Sequence, residues 1–155
     1  MEKEKTIEVL ADLIEVNNAR ISGYERAAME SEELDKDLST IFLNMAKDSR
    51  QYAADLTNEI QTLGPKPEKT EKKNRITQVW VDLKNTFSTQ DRQSILESCE
   101  YGENNVQRAY NAALADAAGI DPQAKTIIAN QRNWLKTAHK LIKNYRDAHW
   151  KIIAC

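Results

Sequence analysis

Glycine and proline are scarce in this chain, 4 and 3 among 155 residues. A β-sandwich or barrel needs turn residues roughly every 8 to 12 positions, and a doubly wound nucleotide-binding domain needs glycines where backbone approaches phosphate. Neither fits so few reversals, which leaves long helices. Cysteine is equally sparse, with Cys99 and Cys155 outside any CxxC spacing, so a disulfide scaffold and a zinc ribbon are excluded. Charge of one sign is missing too. The 22 Lys and Arg against 24 Asp and Glu leave a net charge of -2, too little field to attract nucleic acid or an anionic membrane. Long hydrophobic runs are absent, which predicts no membrane span, and the charged start Met1-Glu2-Lys3-Glu4-Lys5 predicts a cytoplasmic protein. No Ser-His-Asp set, phosphate loop or zinc pattern occurs.

What is present is helical periodicity. Hydrophobic residues make up 41% and charged residues 30%, a balance that suits one folded domain over residues 1–155. From about Lys5 to Met29 a stripe runs through Ile7, Leu10, Ile14, Asn17, Ile21, Tyr24 and Ala28, with steps of three and four. A second helix over about 33–63 carries Leu34, Leu38, Ile41, Met45, Ser49, Tyr52, Leu56 and Leu63, and Gly64 ends it. The third, about 91–117, carries Ile95, Leu96, Cys99, Gly102, Val106, Ala109, Tyr110 and Ala113, with Ser88 and Asp91 at capping-box spacing. Asp121-Pro122 opens the fourth, about 122–152, along Ile127, Gln131, Trp134, Ala138, Ile142, Tyr145, His149 and Ile152.

Residues 64–90 form a connection far longer than the turns at 31–33 and 119–121. A polar stretch to Asn74 can span the length of a bundle. Ile76, Val79, Trp80, Leu83 and Phe87 then predict a short amphipathic helix. The expected architecture is an all-α, ferritin-like antiparallel four-helix bundle with a crossover between its second and third helices.

Several strings fit that architecture: Leu13-Ile14-Glu15, Gly23-Tyr24-Glu25, Ala27-Ala28, Trp80-Val81-Asp82-Leu83-Lys84, Cys99-Glu100-Tyr101-Gly102-Glu103 and Ala138-His139. Together they resemble a bacterial family of ferritin-like four-helix-bundle proteins catalogued as a domain of unknown function. The resemblance implies a fold and a bacterial, cytoplasmic setting, and no established activity.

Carboxylate metal sites in such bundles take a Glu from each of two helices and a Glu-x-x-His pair from each of the other two. Glu25 lies at the edge of the first stripe, Glu103 inside the third, and Glu100 and His139 on flanks of the third and fourth. Lys136 stands three residues before His139, and the middle of the second helix offers Asp48, Ser49 and Tyr52 without histidine. The standard di-iron pattern is therefore incomplete, although a single iron, manganese or zinc ion remains conceivable at Glu25, Glu100, Glu103 and His139. The favoured expectation is that these four form a buried polar layer, bonded to one another and to Tyr24 or Tyr52 and fixing helix register, with no cofactor.

Arg20, Arg50, Lys136 and the charged run Lys66 to Lys73 read as solvated faces, Cys99 as a small core residue, and His149 as a satisfied or solvent-edge histidine. Trp80, Trp134, Trp150, Tyr145 and Phe87 read as packing residues that, if exposed, suit an oligomer contact. Gly23 and Gly102 fall inside helices, where each costs on the order of 1 kcal/mol relative to alanine, and are expected to permit close helix approach, or room for a bulky neighbour such as Tyr24, around the polar layer. The function these features favour is a non-catalytic structural or interaction protein, homodimeric and stress-related. The alternative is a metal-binding ferritin-like oxidoreductase or storage protein.

Overall fold

The computed structural model of the chain describes residues 2–64, 91–115 and 117–154. Four long α-helices dominate them: α1 (Glu2–Ser31), α2 (Lys36–Leu63), α3 (Arg92–Ala115) and α4 (Pro122–Ala154), with a single 3-10 turn at Ala117–Gly119 before the last. There is no strand among the described residues. The crossover helix expected at Ile76 to Phe87, the charged run Lys66 to Lys73 and the Ser88 cap lie outside the described residues. So do the side chains of His149 and Trp150.

Local chemistry sets the helix ends. Asp35 takes an extended conformation and accepts the Leu38 N–H at 3.0 Å, so α2 starts at Lys36 and not at 33. Leu34 drops out of the expected stripe because the turn bonds its own N–H to the Ser31 carbonyl, leaving its side chain exposed. At the start of α3 the cap is Asp91 itself, whose Oδ1 accepts the Ser94 N–H at 2.8 Å. Asp121 caps α4 through the N–H groups of Gln123 and Ala124, with Pro122 in the first helical position as expected. Gly64 closes α2 at φ 135°, a left-handed conformation that side chains other than glycine's rarely adopt.

Three contacts fix the arrangement of the helices. Arg92 Nε donates to Asp35 Oδ2 at 2.9 Å, which puts the N-termini of α2 and α3 at one end of the bundle. Thr6 Oγ1 accepts the Asp121 N–H at 3.0 Å, which puts the N-termini of α1 and α4 at the other. Gly64, packed beside Lys3, places the C-terminus of α2 at that second end. α1 and α4 are thus parallel and diagonal, α2 and α3 likewise, and every neighbouring pair is antiparallel. The chain between Gly64 and Asp91 joins opposite ends of the bundle, the connectivity of ferritin-like folds.

The core between the four helices is apolar over most of its length. Leu10, Leu56, Leu96, Phe42, Ile95, Val106 and Ile128 are fully enclosed, each worth about 1.5–3 kcal/mol for the surface removed from water. Its middle is polar. On α4 the buried face runs through Ala124, Ile128, Gln131, Leu135 and Ile142, so Trp134, expected in the stripe, stands 53% exposed at its edge.

Candidate functional site

Arg20 is the largest fully buried side chain, not part of a solvated face as its charge suggested. Its location follows from helical spacing, three residues after Asn17 and four before Tyr24, both buried on the same side of α1. Opposite it on α3 is Glu103, and the two side chains are each 1% exposed. Arg20 Nε donates to Glu103 Oε1 at 2.6 Å and Nη2 donates to Oε2 at 3.1 Å, a bidentate fork. Nη1 donates to the Met45 carbonyl at 3.1 Å and to Ser49 Oγ at 2.7 Å, while Nη2 also reaches Met45 Sδ at 3.5 Å. A guanidinium carries five N–H groups, and here each has an acceptor. Its plane also lies 4.9 Å from the centre of the Tyr24 ring, a cation–π distance.

The bonds continue across all four helices. Ser49 Oγ donates to Asn17 Oδ1 at 3.0 Å, and Asn17 Nδ2 donates to the Leu13 carbonyl and to Tyr110 Oη, both at 2.8 Å. Tyr110 Oη donates to Gln131 Oε1 at 2.7 Å, and Gln131 Nε2 ends the relay on the Tyr52 carbonyl at 3.1 Å. A relay in which every donor finds an acceptor avoids the desolvation penalty of about 1–3 kcal/mol for each group left unpaired. Burial disfavours the Arg20 cation, but the Glu103 carboxylate, with Tyr24 and Tyr52 adding to it, outweighs this and keeps the guanidinium pKa above its ordinary value. Burial, reinforced by Glu103, pushes the Tyr24 phenol and the Cys99 thiol well up. Burial alone dominates the upward shift at Tyr110. Cys99 is therefore a protonated packing residue.

The four residues expected to share a layer do not meet. Only Glu103 is in the buried layer. Glu25 is half exposed and pairs with Arg50 on the outside of α1 and α2, Oε2 to Nη2 at 2.6 Å. Glu100 and His139 do lie together between α3 and α4, Oε1 to Nε2 at 3.6 Å, with Arg146 Nη1 3.2 Å from the same carboxylate oxygen. No group of three or more His, Cys, Asp or Glu side chains able to hold a metal ion occurs among the described residues. The polar layer exists, but its members are Asn17, Arg20, Ser49, Glu103, Tyr110 and Gln131. Gly23 and Gly102 are both buried, next in sequence to the buried Tyr24 and Glu103.

One end of the relay reaches a groove. Gln131, together with Asp55, Glu59, Ile127, Asn130 and Trp134, lines a cavity of ≈ 340 Å³ between α2 and α4. The Trp134 indole stacks on Tyr52 at this opening, 5.8 Å between ring centres and 15° between planes. Glu59 is 4% exposed, and burial followed by the nearby Asp121 carboxylate raises its pKa.

Comparison with solved structures matches the fold to a mutant of the Dps1 protein of Mycobacterium smegmatis, at a TM-score of 0.55 and 13% identity over 90% of this chain and 97% of that one. A likeness at that identity shows the ferritin-like fold. No curated protein matches the chain. No helix among the described residues is long and apolar enough to cross a membrane. The family model described as "Domain of unknown function (DUF2383)" matches residues 5–116, and the chain belongs to that family.

Proposed function

We propose that this bundle is a non-catalytic ferritin-like protein that acts through association with a second copy of itself rather than through a metal centre. The observation that carries the reading is the Arg20–Glu103 fork. The Glu103 carboxylate, enclosed between the helices, is already neutralised by a guanidinium whose N–H groups are all engaged, so a fixed organic cation supplies the positive charge that bound ions supply in carboxylate bundles. Support for association comes from the exposed Tyr101 on α3 and Leu141 on α4, large apolar side chains of the kind that form interface cores. Light scattering on the purified protein tests this directly. A dimer that Tyr101→Ser or Leu141→Ser converts to monomer is expected, and a monomer at all concentrations refutes the association.

The metal reading rests on the Glu100–His139 pair, two possible ligands among the described residues. Elemental analysis of protein purified from its own host separates the two. Stoichiometric iron, manganese or zinc that disappears in Glu100→Ala, His139→Ala protein would establish the alternative.

A further inference from the structure

We propose that the groove between α2 and α4 binds a small organic ammonium cation, a primary amine, with Glu59 as its buried counter-ion. Glu59 is 4% exposed and lines the groove, yet its carboxylate makes no hydrogen bond or ion pair with any described residue. The side chain is enclosed while its carboxylate opens on the groove, so the charge there has water and no fixed cation among the described residues to compensate it. Asp55 lies one helical turn before it on α2, so two carboxylates line one wall. Among the described residues no Lys or Arg lines the cavity. The opposite wall, on α4, supplies the Trp134 indole, a ring type that attracts cations, together with Asn130 and the hydrocarbon side chain of Ile127 for an alkyl chain.

The carboxylates do not form a cluster able to hold a metal ion. An alkylammonium suits them better, since its charge is carried on N–H donors and its hydrocarbon body can lie against Trp134 and Ile127. The cavity, ≈ 340 Å³, lies at the small end of ligand pockets, which suits an amine of few heavy atoms. Gln131 lies both in the groove wall and at the end of the relay from Arg20.

Calorimetric titration of the full chain with 1,4-diaminobutane tests the assignment, with 1,4-butanediol as the neutral isostere and magnesium chloride as the inorganic control. One diamine per chain is expected, with no heat from the diol. In Glu59→Gln the affinity should fall roughly tenfold or more, the loss of one charge-assisted contact. That variant removes an unpaired charge and should fold with unchanged helical circular dichroism. Should it not fold, Trp134→Leu probes the same groove from its exposed rim and should also weaken binding. Unchanged affinity in a folded Glu59→Gln, unchanged affinity in Trp134→Leu, equal competition by magnesium, or no diamine binding at millimolar concentration would each overturn the proposal.

Discussion

Replacing Arg20 with methionine leaves the Glu103 carboxylate buried at 1% exposure with neither of its two guanidinium bonds. Removing one member of a buried ion pair costs about 3–5 kcal/mol, chiefly the desolvation of the charge left behind. Glu103→Gln should cost a similar amount, because the guanidinium then keeps only Met45, Ser49 and a neutral amide. Against a total stability of about 5–15 kcal/mol for a domain, either loss lowers Tm by roughly 9–15 °C. The double variant Arg20→Met, Glu103→Met behaves differently, since no buried charge survives, and the Ser49 hydroxyl still donates to Asn17. It should recover most of the loss, a coupling of about 2–4 kcal/mol in a double-mutant cycle. Urea unfolding followed by circular dichroism at 222 nm gives all three free energies. Additive single effects, or a cost below about 1 kcal/mol for Arg20→Met, would refute the claim that this pair governs the middle of the core.

Three further outcomes are expected. Asp121→Ala removes the acceptor for the Gln123 and Ala124 N–H groups and should cost about 1 kcal/mol in urea unfolding, whereas Asp121→Asn should cost less. The Leu38 N–H and Arg92 hold the Asp35 carboxyl below its ordinary value of 3.8; its stabilisation is present above that value and lost as pH falls through the folded value. Asp35→Asn should therefore melt lower than wild type at pH 7 and match it near pH 2, and a constant difference would contradict the assignment. At Glu59 the sign is opposite. Burial and Asp121 raise its pKa above 4.5, so the fold favours the protonated acid and loses stability as pH rises through that region. Glu59→Gln should melt higher than wild type at pH 7 and equally at pH 3, and a lower melting temperature at neutral pH would show that the carboxylate has a partner.

Much of the fold is legible without coordinates. Asp121-Pro122 and Gly64 mark helix ends by backbone chemistry that neighbours do not alter, and the three-and-four spacing of Leu10, Tyr24, Leu56 and Val106 identifies buried faces. The site is less legible. Arg20 sits at stripe spacing between Asn17 and Tyr24, and Glu103 between Cys99 and Val106, so a charge of each sign on two inward faces was the available signal. What hid it is that Ile21, next to Arg20, also satisfies the spacing and is the more apolar choice. Trp134 was misplaced in the same way by its neighbour Leu135, because one residue turns a side chain through about 100° on a helix.

The sequence by itself determined a chain of four long helices, since scarce glycine and proline and repeated helical stripes leave no other regular structure for it. Only the tertiary structure decided which charges are inside. A stripe position is a statement about one helix, and whether arginine is tolerated there depends on what faces it from the others. Glu103 on α3 and Met45 and Ser49 on α2 supply the acceptors that let Arg20 stay ionised out of water. Those partners lie 25 to 83 residues away along the chain, beyond the reach of any local pattern.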